Sequence, residues 1–349
     1  MRIAVAQINP VVGDITGNLE KILDVVASTM DKSPDLMVFP ELVLTGYPPR
    51  DLLERRWLIK GARSAADRIA CETAGSDCGL ILGLPTPTGR DIGRGLYNSA
   101  VLIHDGAIRF TQHKQLLPTY DVFDEDRYFD SAGVSDVVEF KGERLGISIC
   151  EDAWNDPELW RKRIYTRDPI EELARNGATL MINISASPYH IGKEQIRRRI
   201  IQSHARRFNV PFLFVNQVGG NDELIFDGRS LFVSAGGRIV DEFDPFREEI
   251  KIIDTTDTVN VDRIIHDAPE TNLFNALALG LRDYVGKCGF TDVLVGLSGG
   301  IDSALVAVLA VAALGPAHVT GITMPGPFSS AGSVDDSLAL AQNLEIRCH

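Results

Sequence analysis

The apolar run Leu145-Gly146-Ile147-Ser148-Ile149 stops at Cys150 and is followed at once by Glu151-Asp152. A short apolar run closed by a thiol and two acids reads as a buried strand whose last residue emerges at a sheet edge, where loops carry chemistry. Two further runs end in the same way. Leu36-Met37-Val38-Phe39-Pro40 closes on Glu41, and the strand-like residues 106–112 are followed, one residue on, by Lys114. Such a chain is expected to form a sheet that gathers acid, amine and thiol from strand ends far apart in sequence.

The rest of the pattern sets the architecture. Residues 3–8, 36–39 and 80–84 read as strands separated by helical stretches at 18–30 and 51–72. Residues 98–110 read as a hairpin turning at Asp105-Gly106, and 137–149 as another turning near Lys141-Gly142-Glu143. A strand at 181–184, a basic-faced helix at 192–208 and a strand at 211–215 follow, then a hairpin around Ala235-Gly236-Gly237. Helical crossovers mixed with hairpins predict a mixed sheet in a layered α/β fold. No internal sequence repeat is visible.

The composition bounds the function classes. The chain has 349 residues, long for one domain, so two are expected. A net charge of −13 without a basic run argues against nucleic acid as a partner. The five cysteines form no C-x-x-C pair, which suggests neither a zinc knuckle nor a disulfide framework. Met1-Arg2-Ile3-Ala4-Val5 enters a strand directly, and no apolar span is long enough for a membrane. The expectation is a reduced, cytoplasmic enzyme without a membrane partner.

Polar character rises from about residue 246 to 270, around Thr255-Thr256-Asp257-Thr258. The expected organisation is a first domain over 1–250, a linker over 251–270 and a second domain over 271–349. The second domain shows a helix at 272–288, a buried parallel-type strand at 293–297, a helix at 302–314, a strand at 319–323 and a helix at 334–343. Glu345-Ile346-Arg347-Cys348-His349 reads as the start of a third strand, so this domain is expected to be an incomplete one.

Glu41, Lys114 and Cys150 suit one kind of chemistry. A thiolate is the nucleophile, so a base must take its proton. A carboxylate in a partly apolar pocket serves as that base, and a fixed ammonium stabilises the oxyanion formed on an attacked carbonyl. Taken singly, each residue has a plainer reading: an inert buried cysteine, a surface acid, a surface amine. Spacing alone does not join them.

Three segments do so by resemblance. Phe39-Pro40-Glu41-Leu42, His113-Lys114-Gln115-Leu116-Leu117-Pro118 and Ile149-Cys150-Glu151-Asp152 resemble, in order, the signature segments of nitrilase-type carbon–nitrogen hydrolases. The resemblance covers roughly residues 1–260. It implies a four-layer α-β-β-α sandwich, with Glu41 as general base, Lys114 holding the oxyanion and Cys150 as nucleophile, with no cofactor. Residues 117–125 resemble the glutaminase domains that are fused to NAD synthetases. That implies Tyr120 and Glu151 at the bound glutamine and Glu125 as a supporting acid. Asn183-Ile184-Ser185-Ala186-Ser187-Pro188 resembles a segment that contacts the glutamine headgroup, which points to Ser185 and Ser187. The same cluster also reads as a strand-ending turn.

A second motif lies at Ser298-Gly299-Gly300-Ile301-Asp302-Ser303, between the strand-like 293–297 and a helix. Strand, glycine-rich turn and helix start form an anion cradle, though not a Walker A loop. Asp302 is unusual there unless it caps the helix or holds a metal ion. The six residues resemble the pyrophosphate loop of ATP-pyrophosphatases, which implies ATP at Ser298, Gly299, Gly300, Ile301, Asp302 and Ser303. Met324-Pro325, Ser329-Ser330 and Asp335-Asp336-Ser337 resemble the NAD synthetase version, and Phe328 departs from its usual tyrosine.

The joint resemblance is to the glutamine-dependent NAD synthetases. It implies a nitrilase-like sandwich followed by a truncated Rossmann-like parallel α/β domain, with glutamine, ATP and deamido-NAD as partners. Magnesium is expected near Asp302, ammonia to pass through a protected channel, and copies to associate as a homo-oligomer. On this reading the chain keeps only the glutaminase chemistry. Two alternatives stand beside it. A free-standing amidase of other specificity would not need residues 298–303, and a non-enzymatic ammonia-transfer scaffold would not need Glu41, Lys114 and Cys150 together.

Overall fold

The computed structural model describes residues 1–156, 165–256, 263–328 and 330–349. The chain forms two compact units, Met1–Gly219 with Phe226–His266, and Gly220–Ile225 with Asp267–His349.

The first unit begins β1 (Arg2–Gln7), α1 (Ile15–Thr29), β2 (Leu36–Val38), α2 (Arg56–Glu72), β3 (Gly79–Pro87), β4 (Leu96–His104), β5 (Ala107–His113). It continues β6 (Val137–Phe140), β7 (Glu143–Ile149), α3 (Pro169–Arg175), β8 (Leu180–Ser185), α4 (Lys193–Phe208), β9 (Phe212–Asn216). After a two-stranded sheet of β10 (Val218–Asn221) and β11 (Leu224–Asp227) come β12 (Leu231–Val233), β13 (Ile239–Glu242) and β14 (Glu249–Asp254).

Two six-stranded sheets result, ordered β14-β1-β2-β3-β4-β5 and β13-β12-β9-β8-β7-β6. Read from β14 in the first sheet and from β6 in the second, both pair antiparallel, parallel, parallel, antiparallel, antiparallel. In both, the parallel pairs are bridged by helices, as parallel crossovers require. The two halves thus repeat one architecture although the sequence shows no repeat, because a sheet's pairing pattern depends on apolar alternation rather than on particular residues.

That alternation separates the layers. In β1, Ile3 and Val5 face the second sheet, while Ala4 and Ala6 face the helices. The inter-sheet core joins Leu36, Val38, Ile81 and Leu102 to Leu145, Ile147, Ile182 and Leu213. On the outer face of the first sheet, Leu19 and Ile22 of α1 and Ala62, Ala65, Ala66 and Ile69 of α2 cover Met37, Leu80 and Leu82. Leu173 of α3 and Ile200, Ile201 and Ala205 of α4 cover Met181, Phe212 and Phe214 of the second sheet. The order helix, sheet, sheet, helix is the expected four-layer α-β-β-α sandwich. Each large apolar side chain in these layers is worth about 2–5 kcal/mol against truncation to alanine.

Several boundaries differ from the sequence expectation. The helix expected from residue 51 starts at Arg56, because Arg55 is extended and Arg50–Glu54 forms a separate 3-10 turn. The linker expected at 251–270 is shorter. Residues 251–254 belong to β14, whose Ile250 and Ile252 pack on one face and Ile253 on the other while the strand pairs with β1. The first unit reaches His266, and residues 257–262 lie outside the described residues. The helix α3 and the β10–β11 pair were not expected at all. No helix among the described residues is long and apolar enough to cross a membrane.

The second unit contains α5 (Pro269–Lys287), β15 (Val293–Gly296), α6 (Ile301–Leu314), β16 (Val319–Ile322), α7 (Ala331–Asn343) and β17 (Arg347–Cys348). Its strands are parallel in the order β15-β16-β17. Val295, Leu297, Ala307, Ala310, Val319, Ala341 and Ile346 form its core. β15 is not buried on both faces as its composition suggests, since Leu294 is 71% exposed. Residues 220–225 belong to this unit, where the Gly220 N–H donates to Asp283 at 2.7 Å and Lys287 Nζ donates to the Gly220 carbonyl at 2.8 Å.

One glycine ties the fold to the segment after β2. A Cβ at Gly83 in β3 would overlap the amide nitrogen of Leu42 and lie 2.9 Å from the Cα of Glu41. Gly83→Ala is therefore expected to destabilise the protein by about 1–3 kcal/mol through overpacking against main chain. A urea titration checks this; an unchanged midpoint would mean that the Glu41 segment shifts freely.

Candidate active site

Glu41 lies three residues beyond β2, Lys114 directly follows β5, and Cys150 directly follows β7. Two of these strands are in the first sheet and one in the second, and the site lies where their ends converge. Lys114 and Glu41 are fully buried. Lys114 Nζ is 2.8 Å from Glu41 Oε1 and 2.8 Å from both carboxylate oxygens of Glu125. The structure therefore brings together the acid, amine and supporting acid expected from sequence.

Each carboxylate is fixed by further donors. The Asn98 side-chain amide donates to Glu41 Oε1 at 2.7 Å, and the Ala186 N–H donates to Glu41 Oε2 at 2.8 Å. The Tyr47 hydroxyl donates to Glu125 at 2.7 Å. Burial opposes the Lys114 charge, but the Glu125 and Glu41 carboxylates outweigh it and hold the ammonium well above the usual lysine range. Burial pushes the Glu125 carboxyl up, against the pull of Lys114 and with the push of Glu41.

Cys150 is 3% exposed and takes a left-handed backbone conformation, φ 42°. Leu42, next to Glu41, does the same at φ 46°. Non-glycine residues adopt this region rarely and at a cost in strain, which concentrates at functional sites. Burial, then the Glu41 charge, pushes the Cys150 thiol well above its usual range, with Lys114 opposing. The resting sulfur is a neutral thiol, so its use as a nucleophile requires a proton acceptor at the moment of attack.

Asp152 joins the two nearest segments. Its carboxylate accepts from the N–H groups of Gln115 and Leu116, at 3.0 and 2.9 Å, and from Ile149 N–H at 3.1 Å. One side chain thus fixes the residues just after Lys114 to the residue just before Cys150. Burial moves its carboxyl up to about 6, with the three N–H groups opposing.

Cys150 opens into a cavity of about 210 Å³ lined by residues including Tyr120, Phe123, Glu151, Trp154, Ser187 and Lys193. That is below the ~300 Å³ where drug-sized sites begin, so the cavity suits a small molecule. Glu151 accepts from Tyr120 Oη at 2.8 and 3.0 Å and from Tyr165 Oη at 3.0 Å. Burial pushes Glu151 up to about 7. Burial and the Glu151 charge push Tyr120 and Tyr165 up, so both remain donors.

The two expected serines part company. Ser187 lines the cavity, and its N–H donates to Asn216 at 2.8 Å. Ser185 does not line it; its buried hydroxyl donates to Asn183 Oδ1 at 2.7 Å. Asn183 in turn donates to Ser148 Oγ at 2.9 Å and weakly to the Cys150 carbonyl at 3.4 Å. Ser185 is the last residue of β8 and Ser187 lies two residues beyond it, so strand alternation, which would put both on one face, no longer governs Ser187.

Asn98, Tyr47, Asp152 and Lys193 were not singled out from sequence. Asp152 sits inside the Cys150-Glu151-Asp152 motif and had a signal. Asn98 and Tyr47 are brought in only by sheet pairing and loop path.

In the second unit, residues 298–303 form a tight turn into α6. Ser298 N–H donates to Ser303 Oγ at 3.2 Å, the two hydroxyls are 3.0 Å apart, and Ser303 Oγ donates to the Gly300 carbonyl at 2.9 Å. Gly299 has φ 76°, and a Cβ there would meet the Ser333 main chain. Gly299, Gly300, Ile301 and Ser303 line a cavity of about 430 Å³; Ser298, Met324, Phe328 and Ser330 line one of about 610 Å³. A glycine turn with α6 N–H groups pointing out of the first turn fits an anion. Asp302 is not the cap: Gly300 is, and Asp302 sits in the first turn. Among the described residues no three or more His, Cys, Asp or Glu side chains cluster as metal ligands. Ser329 lies outside the described residues.

A four-layer sandwich with acid, amine and thiol at converging strand ends defines a class of amide- and nitrile-cleaving proteins. The family model for carbon-nitrogen hydrolase matches residues 2–263, and the chain belongs to that family. A second model, NAD synthase, matches residues 273–349. The chain is similar to the glutamine-dependent NAD(+) synthetase of Synechocystis sp., 44% identical over 98% of this chain and 62% of that protein. It is 38% identical to that of Aquifex aeolicus, over 100% of this chain and 65% of the relative. The chain thus spans less than two thirds of the length of the relatives it matches. The structure of glutamine-dependent NAD+ synthetase from Acinetobacter baumannii, in complex with ADP, superposes with a TM-score of 0.90 at 33% identity, covering 99% of this chain and 64% of that one. An amidase from Nesterenkonia sp. shares the fold, with a TM-score of 0.62 at 22% identity over 72% of this chain.

The Glu151 environment has a pH consequence. Its folded pKa of about 7 lies above the ordinary 4.5. A raised carboxyl pKa contributes stability below the ordinary value, and that contribution is lost as pH rises through the folded value. Stability of the wild type is expected to fall, relative to Glu151→Gln, by roughly 2–3 kcal/mol between about pH 4.5 and 7. Urea midpoints across that range check it; parallel profiles for the two proteins would refute it.

Proposed function

We propose that the first unit hydrolyses the side-chain amide of glutamine and that the ammonia released serves an ATP-dependent amidation of deamido-NAD. The observation that carries the first half is the buried Lys114 held between Glu41 and Glu125 beside the strained Cys150. The curated relatives named above and the family match at residues 273–349 support the second half.

In the proposed reaction Cys150 Sγ attacks the amide carbon while its proton passes to Glu41. The neutral resting thiol makes this coupling necessary, since little free thiolate is present to react alone. Lys114 is an ammonium with three N–H donors, and two of them are engaged by Glu41 and Glu125. The remaining donor stabilises the oxyanion. Glu41 then delivers its proton to the leaving nitrogen, the C–N bond breaks, and ammonia departs from a Cys150 thioester. Water, deprotonated by Glu41, cleaves the thioester to glutamate and restores the thiol. Glu125 holds the Lys114 ammonium in place and, with its raised pKa, keeps the buried charge close to balance.

In the second unit the Ser298, Gly299, Gly300, Ile301 and Ser303 turn would hold the phosphates of ATP, and Asp302 a magnesium ion. ATP would supply the activation of a carboxylate as an adenylate. The glutaminase needs no cofactor on this reading. A cytoplasmic setting is part of the proposal, as all five cysteines are free thiols; so is association into a homo-oligomer.

Cys150→Ala is expected to abolish glutamine-driven ammonia release. Mass spectrometry of the wild type quenched with glutamine should find an acyl adduct on Cys150, and retention of turnover by the variant would sink the assignment. Lys114→Met should lose kcat by about 100-fold or more with a smaller change in KM, because the oxyanion exists only along the reaction path. A loss confined to KM would make Lys114 a binding residue.

A further inference from the structure

We infer that Asn98 is a positioning residue for the general base: together with Lys114 it occupies one oxygen of the Glu41 carboxylate, and so leaves the other oxygen, Oε2, to take the Cys150 proton. The inference rests on the amide-hydrolase reading above and deepens it.

Asn98 lies in β4. Alternation puts it on the same face as Ala100 and Leu102, which pack into the inter-sheet core. It is 1% exposed, a polar side chain on an otherwise apolar face. Its amide nitrogen donates to Glu41 Oε1 at 2.7 Å, while its Oδ1 has no hydrogen-bond partner among the described residues. The amide does not turn round, since Oδ1 would then face the carboxylate oxygen, acceptor against acceptor. A buried amide satisfied at only one end is costly, and an apolar residue of the same size would avoid that cost. What an apolar residue could not supply is the donor to Glu41.

The donor set divides the two carboxylate oxygens. Oε1 accepts from Lys114 Nζ at 2.8 Å as well as from Asn98, which fills both of its lone pairs. Oε2 accepts from the Ala186 N–H at 2.8 Å and from no other donor among the described residues. The lone pair left over is therefore on Oε2. As the bond from Cys150 Sγ to the amide carbon forms, the Sγ–H bond breaks and its proton passes to Oε2, while the carbonyl π pair moves onto the carbonyl oxygen. The same proton then goes from Oε2 to the leaving nitrogen. Asn98 fixes the amine as well, because its main-chain carbonyl accepts from the Lys114 N–H at 2.8 Å. Without the side-chain amide, Oε1 regains a lone pair and the carboxylate is free to turn, so alignment with the thiol is lost. Substrate binding is not, because Asn98 is not among the described residues that line the cavity.

The test uses the full chain, L-glutamine and two variants close to asparagine in size, Asn98→Leu and Asn98→Asp. Asn98→Leu removes the donor and is expected to lower kcat by roughly 10- to 100-fold while KM changes by less than about 3-fold. Asn98→Asp keeps a donor only while the new carboxyl is protonated. The charged groups linked to that carboxyl are Glu41, Lys114 and Glu125. Lys114 and the Ala186 N–H favour the charge on Glu41, so the proton sits on the new carboxyl. As pH rises that proton is lost and two carboxylates face each other. The kcat of Asn98→Asp relative to wild type is therefore expected to fall by about 10-fold or more between roughly pH 6 and 9, a fall that Asn98→Leu does not show. Thermal melts establish that each variant is folded. A kcat for Asn98→Leu within about 3-fold of wild type would overturn the inference. So would a loss confined to KM, or one and the same pH-independent loss in both variants, which would assign Asn98 to packing; Cys150 chemistry would then still stand. Absence of an acyl adduct on Cys150 in the wild type would instead remove the hydrolase reading, and the inference with it.

Discussion

The Lys114 ammonium is fully buried, and the site is organised around making that tolerable. An isolated ammonium in a protein interior would lose its proton rather than its water. Two carboxylates at 2.8 Å reverse that tendency. They in turn require donors, which come from Asn98, the Ala186 N–H and Tyr47. These residues belong to β4, to the exit of β8 and to the loop after β2. A single buried charge thus ties both sheets to one another at their strand ends. Removing one partner would strand a charge, and such losses run to about 3–5 kcal/mol.

The same arrangement keeps Cys150 unreactive until a substrate is present. Burial and the nearby Glu41, Glu125 and Glu151 carboxylates push the thiol up, with Lys114 only partly opposing. A thiol in this state resists adventitious oxidation and alkylation, which act on thiolates. The positive φ of Cys150 and of Leu42 marks the two strand exits where the chain must turn sharply at the point of convergence. The surrounding main chain overdetermines both turns: Asp152 fixes the residue before Cys150, and Gly83 leaves room for Leu42.

Much of this was legible in the sequence, and the limits have physical reasons. The strand ends at Glu41, Lys114 and Cys150 could be read because a buried strand is an apolar run and a functional residue interrupts it. Hairpin turns at Asp105-Gly106 and Lys141-Gly142 could be read because positive φ restricts the residue types there. The end of β14 was mistaken for linker because Glu249, Lys251 and Asp254 interrupt and flank its three isoleucines on an edge strand, which looks like a polar segment. The helix α3 is only seven residues long, too short for periodicity, although Asp168 and Pro169 give it a proper start. The duplication of the two sheets has no sequence trace, since pairing order is a long-range property. Asn98 and Tyr47 could not be found for the same reason.

Glu151 and Asp152 show how neighbouring carboxylates acquire different work from backbone direction alone. Asp152 turns inward to three N–H groups and acts on the geometry of the main chain. Glu151 turns toward the cavity and, among the described residues, accepts from the Tyr120 and Tyr165 hydroxyls. Both are pushed up by burial, with three N–H groups opposing in Asp152 and the Tyr120 and Tyr165 hydroxyls and the Lys114 charge opposing in Glu151. At the turn after β7, backbone direction alone thus separates a carboxylate that holds the main chain from one that faces the cavity.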